Sequence, residues 1–245
     1  MATIKVTSPT FAAHQIQAEE GASLLRTLID NGYVVPHLCH HEAVSSYGAC
    51  RLCLVEVEKR GKRKLTTACN YPVADGVEVF VDSEKVVRNR KMVLELTLSM
   101  CPDSPELQEL AASHGIEVDD VRFPTEDNDC ILCGLCERVC REVVGVEAIT
   151  FSKRGDRKAV EPPFGEAENC IGCGACVHVC PVDCIKIEER GGKKIIVRWN
   201  RELEVVLDPV SGAPLAPRFM LEHFRRLANL PAGFYDKAPW YQDRK

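Results

Sequence analysis

Aromatic residues are scarce: 8 Phe, 5 Tyr and 2 Trp make up 6% of the 245 residues. One large aromatic-rich core is therefore not expected, and several small modules are. No run of about 18 apolar residues occurs, so no segment reads as membrane-inserting. Basic residues do not dominate. The 31 Lys and Arg stand against 36 Asp and Glu, a formal net charge of −5, which argues against general nucleic-acid binding. The opening MATIKVTSPTF is neither an apolar secretory region nor an Arg-rich transit peptide, so a cytoplasmic protein is expected. No Gly-x-Gly-x-x-Gly follows a strand pattern, and no Walker loop occurs. No Ser/His/Asp or Cys/His pairing can be nominated either. The expectation is no catalytic residue and no nucleotide-binding residue in this chain.

What the chain does have is 14 cysteines. In a reducing compartment disulfides are rare, and clustered Cys point to metal or redox chemistry. Nine of them contain one pattern twice. Cys130-x2-Cys133-x2-Cys136-x3-Cys140 recurs at a 40-residue offset as Cys170-x2-Cys173-x2-Cys176-x3-Cys180, followed by Pro181. This is the spacing of bacterial two-cluster ferredoxins, in which the fourth Cys of each run ligates the other cluster. The expected ligand sets are Cys130, Cys133, Cys136 and Cys180 for one [4Fe–4S] cluster, and Cys140, Cys170, Cys173 and Cys176 for a second. Structural zinc uses two well-separated Cys pairs around one tetrahedral ion. Three thiols at this spacing, repeated, crowd too closely for that. Gly134, Gly172 and Gly174 fall between ligands, where backbone N–H groups must come close to the sulfides. The first run has Arg141 in place of the second run's Pro181.

The N-terminal group is Cys39-x10-Cys50-x2-Cys53-x15-Cys69, with the core Tyr47-Gly48-Ala49-Cys50-Arg51-Leu52-Cys53. Its order is that of plant-type [2Fe–2S] ferredoxins, with a longer first gap. The flanking chain suits a small ferredoxin-type sheet. Ile4–Thr7 alternates as a strand. Ser23 caps a helix over 24–31 that ends at Gly32. Strands at 54–58 and 65–67 flank a basic hairpin tip, and 77–81 forms a last strand. Four Cys complete the site, so His37, His40 and His41 read as rim residues that can tune it.

Beyond the repeat, Arg190-Gly191-Gly192-Lys193 reads as a hairpin turn between IKIEE and KIIVRW. Residues 201–218 read as a second hairpin turning at Asp208-Pro209-Val210-Ser211-Gly212, and 220–228 as a short helix. Phe219, Phe224, Phe234, Tyr235, Trp240 and Tyr241 all fall in the last 27 residues. Aromatics with Arg are enriched in interface cores, so 199–245 is expected to be a docking arm. A tail folded onto its own domain is the other reading of it.

The long first gap, the GACRLC core and the following ferredoxin repeat together resemble a known family of electron-transfer subunits. It comprises the small iron–sulfur (diaphorase-type) subunit of NAD-reducing hydrogenases and the N-terminal part of the large iron–sulfur subunit of complex I and of NAD-dependent formate dehydrogenases. The resemblance covers roughly residues 1–190. It implies that Cys39, Cys50, Cys53 and Cys69 hold one [2Fe–2S] cluster and that the eight repeat cysteines hold two [4Fe–4S] clusters. One departure matters, because members of the family usually carry a third module between these two, with one His and three Cys around another cube. Here that stretch offers Cys101 and His114 alone, which cannot hold a cube. Cys101 reads instead as a small buried hydrophobe, and so does Cys184.

The chain is thus expected to be α+β. A β-grasp [2Fe–2S] domain spans 1–82, and a helical connector without a cluster spans 83–124. A two-[4Fe–4S] ferredoxin domain follows at 125–198, then the arm. Three oxidised clusters, each roughly −2 with its thiolates, would take the formal charge to about −11. The implied function is electron relay within a multisubunit NAD(H)-linked oxidoreductase. One partner would be a flavin/NAD(H)-binding iron–sulfur subunit, and the other a second redox or catalytic subunit. A free-standing ferredoxin-like carrier is the alternative.

Overall fold

The computed structural model describes residues 1–8, 11–126, 128–208 and 211–236. They form two units, one over Met1–Leu135 and one from Cys136 onward.

In the first unit, strand β1 (Ala2–Ser8) buries Ala2, Ile4 and Val6 on one face, as its alternation requires. It pairs antiparallel with β2 (Phe11–Ala18). Helix α1 (Leu24–Asp30) starts where the Ser23 side chain accepts the Arg26 N–H, and it buries Leu24, Leu25 and Leu28. Strands β3 (Leu54–Lys59) and β4 (Lys62–Thr67) form a hairpin. Its two-residue turn places Arg60 and Gly61 at φ +54° and +72°, the left-handed pair of a type I′ turn. The basic tip is thus a hairpin end, as expected. Strand β5 (Val77–Phe80) runs parallel to β1 and antiparallel to β3. The five-stranded order is β2-β1-β5-β3-β4, a β-grasp sheet with α1 against it.

Helices α2 (Glu84–Met100) and α3 (Pro105–Ser113) follow, capped by Ser83 and Ser104. The guanidinium of Arg90 is buried and donates to the Leu54 carbonyl from Nε and Nη2, at 3.1 and 2.7 Å. Its Nη1 pairs with Asp82 at 2.9 Å. Ser83 donates to Glu56 at 2.6 Å. The outer face of β3 is therefore covered as well, and Leu54–Val57 is buried throughout.

In the second unit, α4 (Leu135–Arg138) runs into a π turn, Val139–Val144, closed by Gly145 in the left-handed region. Strands β6 (Thr150–Ser152) and β7 (Ala159–Glu161) pair antiparallel, and α5 (Ala175–His178) follows. Strands β8 (Ile187–Arg190), β9 (Lys193–Ile196), β10 (Arg201–Leu207) and β11 (Pro214–Pro217) form an antiparallel sheet in the order β11-β10-β9-β8. Helix α6 (Arg218–Leu227) packs on β10 and β11. His223 Nε2 donates to the Val144 carbonyl at 2.7 Å. The described part of the C-terminal segment therefore packs on its own unit. Trp240 and Tyr241 lie outside the described residues, as do Pro209 and Val210 of the expected turn.

Candidate metal centres

The first centre gathers three stretches of the first unit. Cys39 follows α1, Cys50 and Cys53 lie on the loop entering β3, and Cys69 lies on the 3-10 turn Ala68–Asn70 after β4. The Cys50 N–H points at Cys39 Sγ, 3.4 Å away, and the Ala68 N–H bonds the Cys53 carbonyl at 2.8 Å. The thiols interact as two pairs. A hydrogen bond from Cys39 pulls Cys50 down to about 5, helped by nearby backbone N–H groups. The same bond, with burial, pushes Cys39 up. Cys69 is likewise lowered by Cys53, while Cys53 is raised by that bond and by burial. Charge on Cys50 also reaches both Cys53 and Cys69. The four sulfurs thus form one electrostatic set, a donor set that fits iron ligation.

Gly48 sits at φ +72°, and a Cβ there would fall 2.3 Å from Asn70 Nδ2. The left-handed backbone favours glycine here, and a side chain would have to displace the Asn70 amide. His37 turns its Nδ1 to the Val35 carbonyl at 2.8 Å, and its ring meets that of His40 edge-on at 5.7 Å. Both are half-buried beside Cys39.

The repeat of the sequence is repeated in the backbone. Leu132 and Gly134 have φ +54° and +72°, and Gly172 and Gly174, 40 residues on, have +72° and +80°. The Leu132 N–H reaches Cys130 Sγ at 3.4 Å. The Gly172 N–H does the same for Cys170. A four-residue helix follows each loop. Cys130 and Cys133 belong to the first unit, and Cys136 and Cys180 to the second.

Within the second unit, Cys140, Cys170, Cys173 and Cys176 line one cavity. Cys140 comes from the first cysteine run and the other three from the second, so the structure brings together the set expected from the spacing. Among the described residues no three His, Cys, Asp or Glu side chains converge as a single ion would need. These thiols stand around a hollow. Burial raises Cys140, Cys170 and Cys176, the last to about 11. The Ala148 N–H points at Cys140 Sγ at 3.3 Å. The walls are apolar, from Ile149, Ile171 and Ile196. Trp199 also lines the cavity, with its buried Nε1 lacking an acceptor. Four thiols, backbone N–H groups and one indole N–H around an apolar hollow fit a sulfide-containing cluster. Trp199 lies beyond the last cysteine, where the spacing argument gives no signal for it.

Cys101 is buried at the C-terminal cap of α2, and His114 caps α3 with Nδ1 near Ser113 Oγ and the Leu110 carbonyl. Cys184, expected to be a small buried hydrophobe, is instead half-buried, and its thiol faces that of Cys180.

Comparison with known proteins defines the class. Residues 6–84 match the 2Fe-2S iron-sulfur cluster binding domain, and residues 125–187 match the 4Fe-4S dicluster domain. The chain is an iron–sulfur protein that joins these two domains. It resembles the small iron–sulfur subunit of NAD-reducing hydrogenases and the N-terminal part of the complex I large iron–sulfur subunit. It is 35% identical over 173 residues to the NADPH-Fe(3+) oxidoreductase subunit alpha of Geobacter sulfurreducens, covering 61% of this chain and 20% of that one. To the NADH-ubiquinone oxidoreductase 75 kDa subunit of Reclinomonas americana it is 29% identical over 193 residues, covering 69% and 28%. To the NADP-reducing hydrogenase subunit HndD of Solidesulfovibrio fructosivorans it is 33% identical over 197 residues, covering 68% and 33%. The chain thus spans 20% to 33% of the length of these curated relatives. A solved chain of an NAD+-reducing [NiFe]-hydrogenase superposes with a TM-score of 0.61 at 26% identity, covering 74% of this chain and 86% of that one. Among the described residues no helix is long and apolar enough to cross a membrane.

Proposed function

We propose that this chain is a cytoplasmic electron-relay subunit of a multisubunit NAD(H)-linked oxidoreductase. It passes single electrons between a flavin/NAD(H)-binding iron–sulfur subunit and a second redox or catalytic subunit. The observation that carries this reading is the cavity shared by Cys140, Cys170, Cys173 and Cys176. Three thiols of one run and one of the other frame it, which suits a relay centre.

Cys39, Cys50, Cys53 and Cys69 are proposed to hold a [2Fe–2S] cluster. Cys130, Cys133, Cys136 and Cys180 are proposed to hold one [4Fe–4S] cluster, and Cys140, Cys170, Cys173 and Cys176 the other. Bound there, the clusters would supply one-electron redox centres. The chain's own residues fix position, shield the sulfurs from water and aim N–H groups at them. The docking contact is assigned to the C-terminal segment, residues 199–245, whose helix α6 leaves Phe219 and Leu227 58% and 63% exposed.

The test is reduction by NADH. The isolated, iron-loaded chain is expected to be inert, and adding the flavin-bearing subunit of its complex should bleach its visible iron–sulfur absorbance. Turnover of NADH by the isolated chain would overturn the relay reading. Size-exclusion of the native protein addresses the free-carrier alternative, since a relay subunit elutes with partners.

A further inference from the structure

We propose that Trp199 is a positioning residue for the Cys140/Cys170/Cys173/Cys176 centre. Its indole N–H is the hydrogen-bond donor to the cluster sulfurs in that hollow, and Trp199, Leu203 and Pro217 form the cover that keeps water from that centre. This inference rests on the ligand assignment proposed above.

Trp199 is 4% exposed and lines the cavity. Its Nε1 meets no protein acceptor at hydrogen-bonding distance and angle. A buried N–H left this way carries an unrecovered desolvation cost, so its placement calls for an acceptor inside the hollow. Cys176 lines the same hollow.

The segment carrying Trp199 lies outside both matched domains, the second of which ends at residue 187. It is nevertheless anchored to the centre at two further points. Arg201 donates from Nε to the Cys170 carbonyl at 3.2 Å and from Nη2 to the Glu168 carbonyl at 3.1 Å. Leu203 and Pro217 close over Gly172, where a Cβ would meet Leu203 Cδ1 at 2.7 Å and Pro217 Cγ at 3.1 Å. The pairing of β10 with β9 holds Arg201 and Leu203 in register, and Asn200 in the left-handed region turns the chain between Trp199 and β10. The C-terminal strands are thus built around one cysteine run.

Hydrogen bonds to cluster sulfurs stabilise the reduced form, which carries one more negative charge, and so raise the potential. Losing this donor should lower the potential of one [4Fe–4S] cluster and leave the others alone. No bond is made or broken in this role.

The test is a redox titration of the anaerobically purified full chain, followed by electron paramagnetic resonance. Trp199→Phe removes the N–H and keeps an aromatic ring. Replacing Trp199 by β-(3-benzothienyl)alanine removes the N–H and keeps the full shape, so it decides the matter if the Phe variant folds poorly. The expected result is two [4Fe–4S] signals, one shifted to more negative potential, with the other and the [2Fe–2S] signal unmoved. Potentials that all coincide with wild type would overturn the proposal. So would loss of one cluster in the benzothienyl variant, because the N–H would then hold the cluster and not set its potential. Absence of [4Fe–4S] signals from the wild-type chain would instead overturn the ligand assignment.

Discussion

The thiol of Cys184 stands 3.6 Å from that of Cys180. That contact, stronger than the opposing effect of burial, pulls Cys180 down to about 6. A cysteine outside the expected ligand sets therefore stabilises the thiolate of one inside them. Cys184→Ala is expected to keep full iron content and both [4Fe–4S] signals. Cys180→Ala should lose the signal of one cluster. Iron analysis with spectroscopy of the reduced proteins decides it, and a cluster missing from Cys184→Ala would mean the ligand sets are drawn wrongly.

Iron stoichiometry tests the whole scheme at once. One [2Fe–2S] and two [4Fe–4S] clusters give about 10 iron per chain, measured after anaerobic purification. About 14 would mean that the connector holds a further cube and that Cys101 and His114 are misread.

Arg90 ties the connector to the sheet. Replacing it with Met leaves the Leu54 carbonyl without its two donors and Asp82 with the Ser8 hydroxyl but without its guanidinium. A loss of about 2–4 kcal/mol in stability of the first unit is expected, because a buried charge network is broken from one side. Urea unfolding followed at the [2Fe–2S] absorbance should show an earlier midpoint. Arg90→Lys, which cannot reproduce the fork, should fall between that variant and the wild type.

Two glycines with similar backbone angles should respond differently to alanine. Gly191, in the β8–β9 turn at φ +59°, has open space where a Cβ would stand, so Gly191→Ala should cost only the backbone strain, about 1 kcal/mol. Gly172→Ala adds the clash with Leu203 and Pro217. Its expected effect is faster loss of iron from one [4Fe–4S] cluster in air, timed by absorbance. Equal lifetimes in the two variants would show that the cover over Gly172 does not matter.

Local signals carry much of this fold. Ser23, Ser83 and Ser104 mark helix starts because each accepts a backbone N–H that the helix leaves free. The tight Arg60-Gly61 and Gly191-Gly192 turns are legible for the same reason, since they are short-range chemistry. Strand β2 is not legible. FAAHQIQA has little β-branched content, and it extends because β1 offers a partner from Ala2 to Ser8. Burial of Glu56 needs α2 to arrive from far along the chain. The tail reads as an arm because its aromatics suggest an interface, whereas pairing of β10 with β9 is a tertiary fact. That Cys140 joins Cys170, Cys173 and Cys176 around one cavity is legible from spacing. The indole beside Cys176 is not, because a hydrogen-bond donor has no fixed place in the motif.

The shared cavity also constrains how the protein is made. Cys140 emerges from the ribosome 30 residues before Cys170 and 36 before Cys176, yet all of them line one hollow with Cys173. Its wall is completed later still, by Ile196 and Trp199. Iron delivered early would meet an unfinished, water-filled cup. The hollow is therefore complete only once the chain has been made past residue 199, and a chain cut before Trp199 would present its cysteines without that wall.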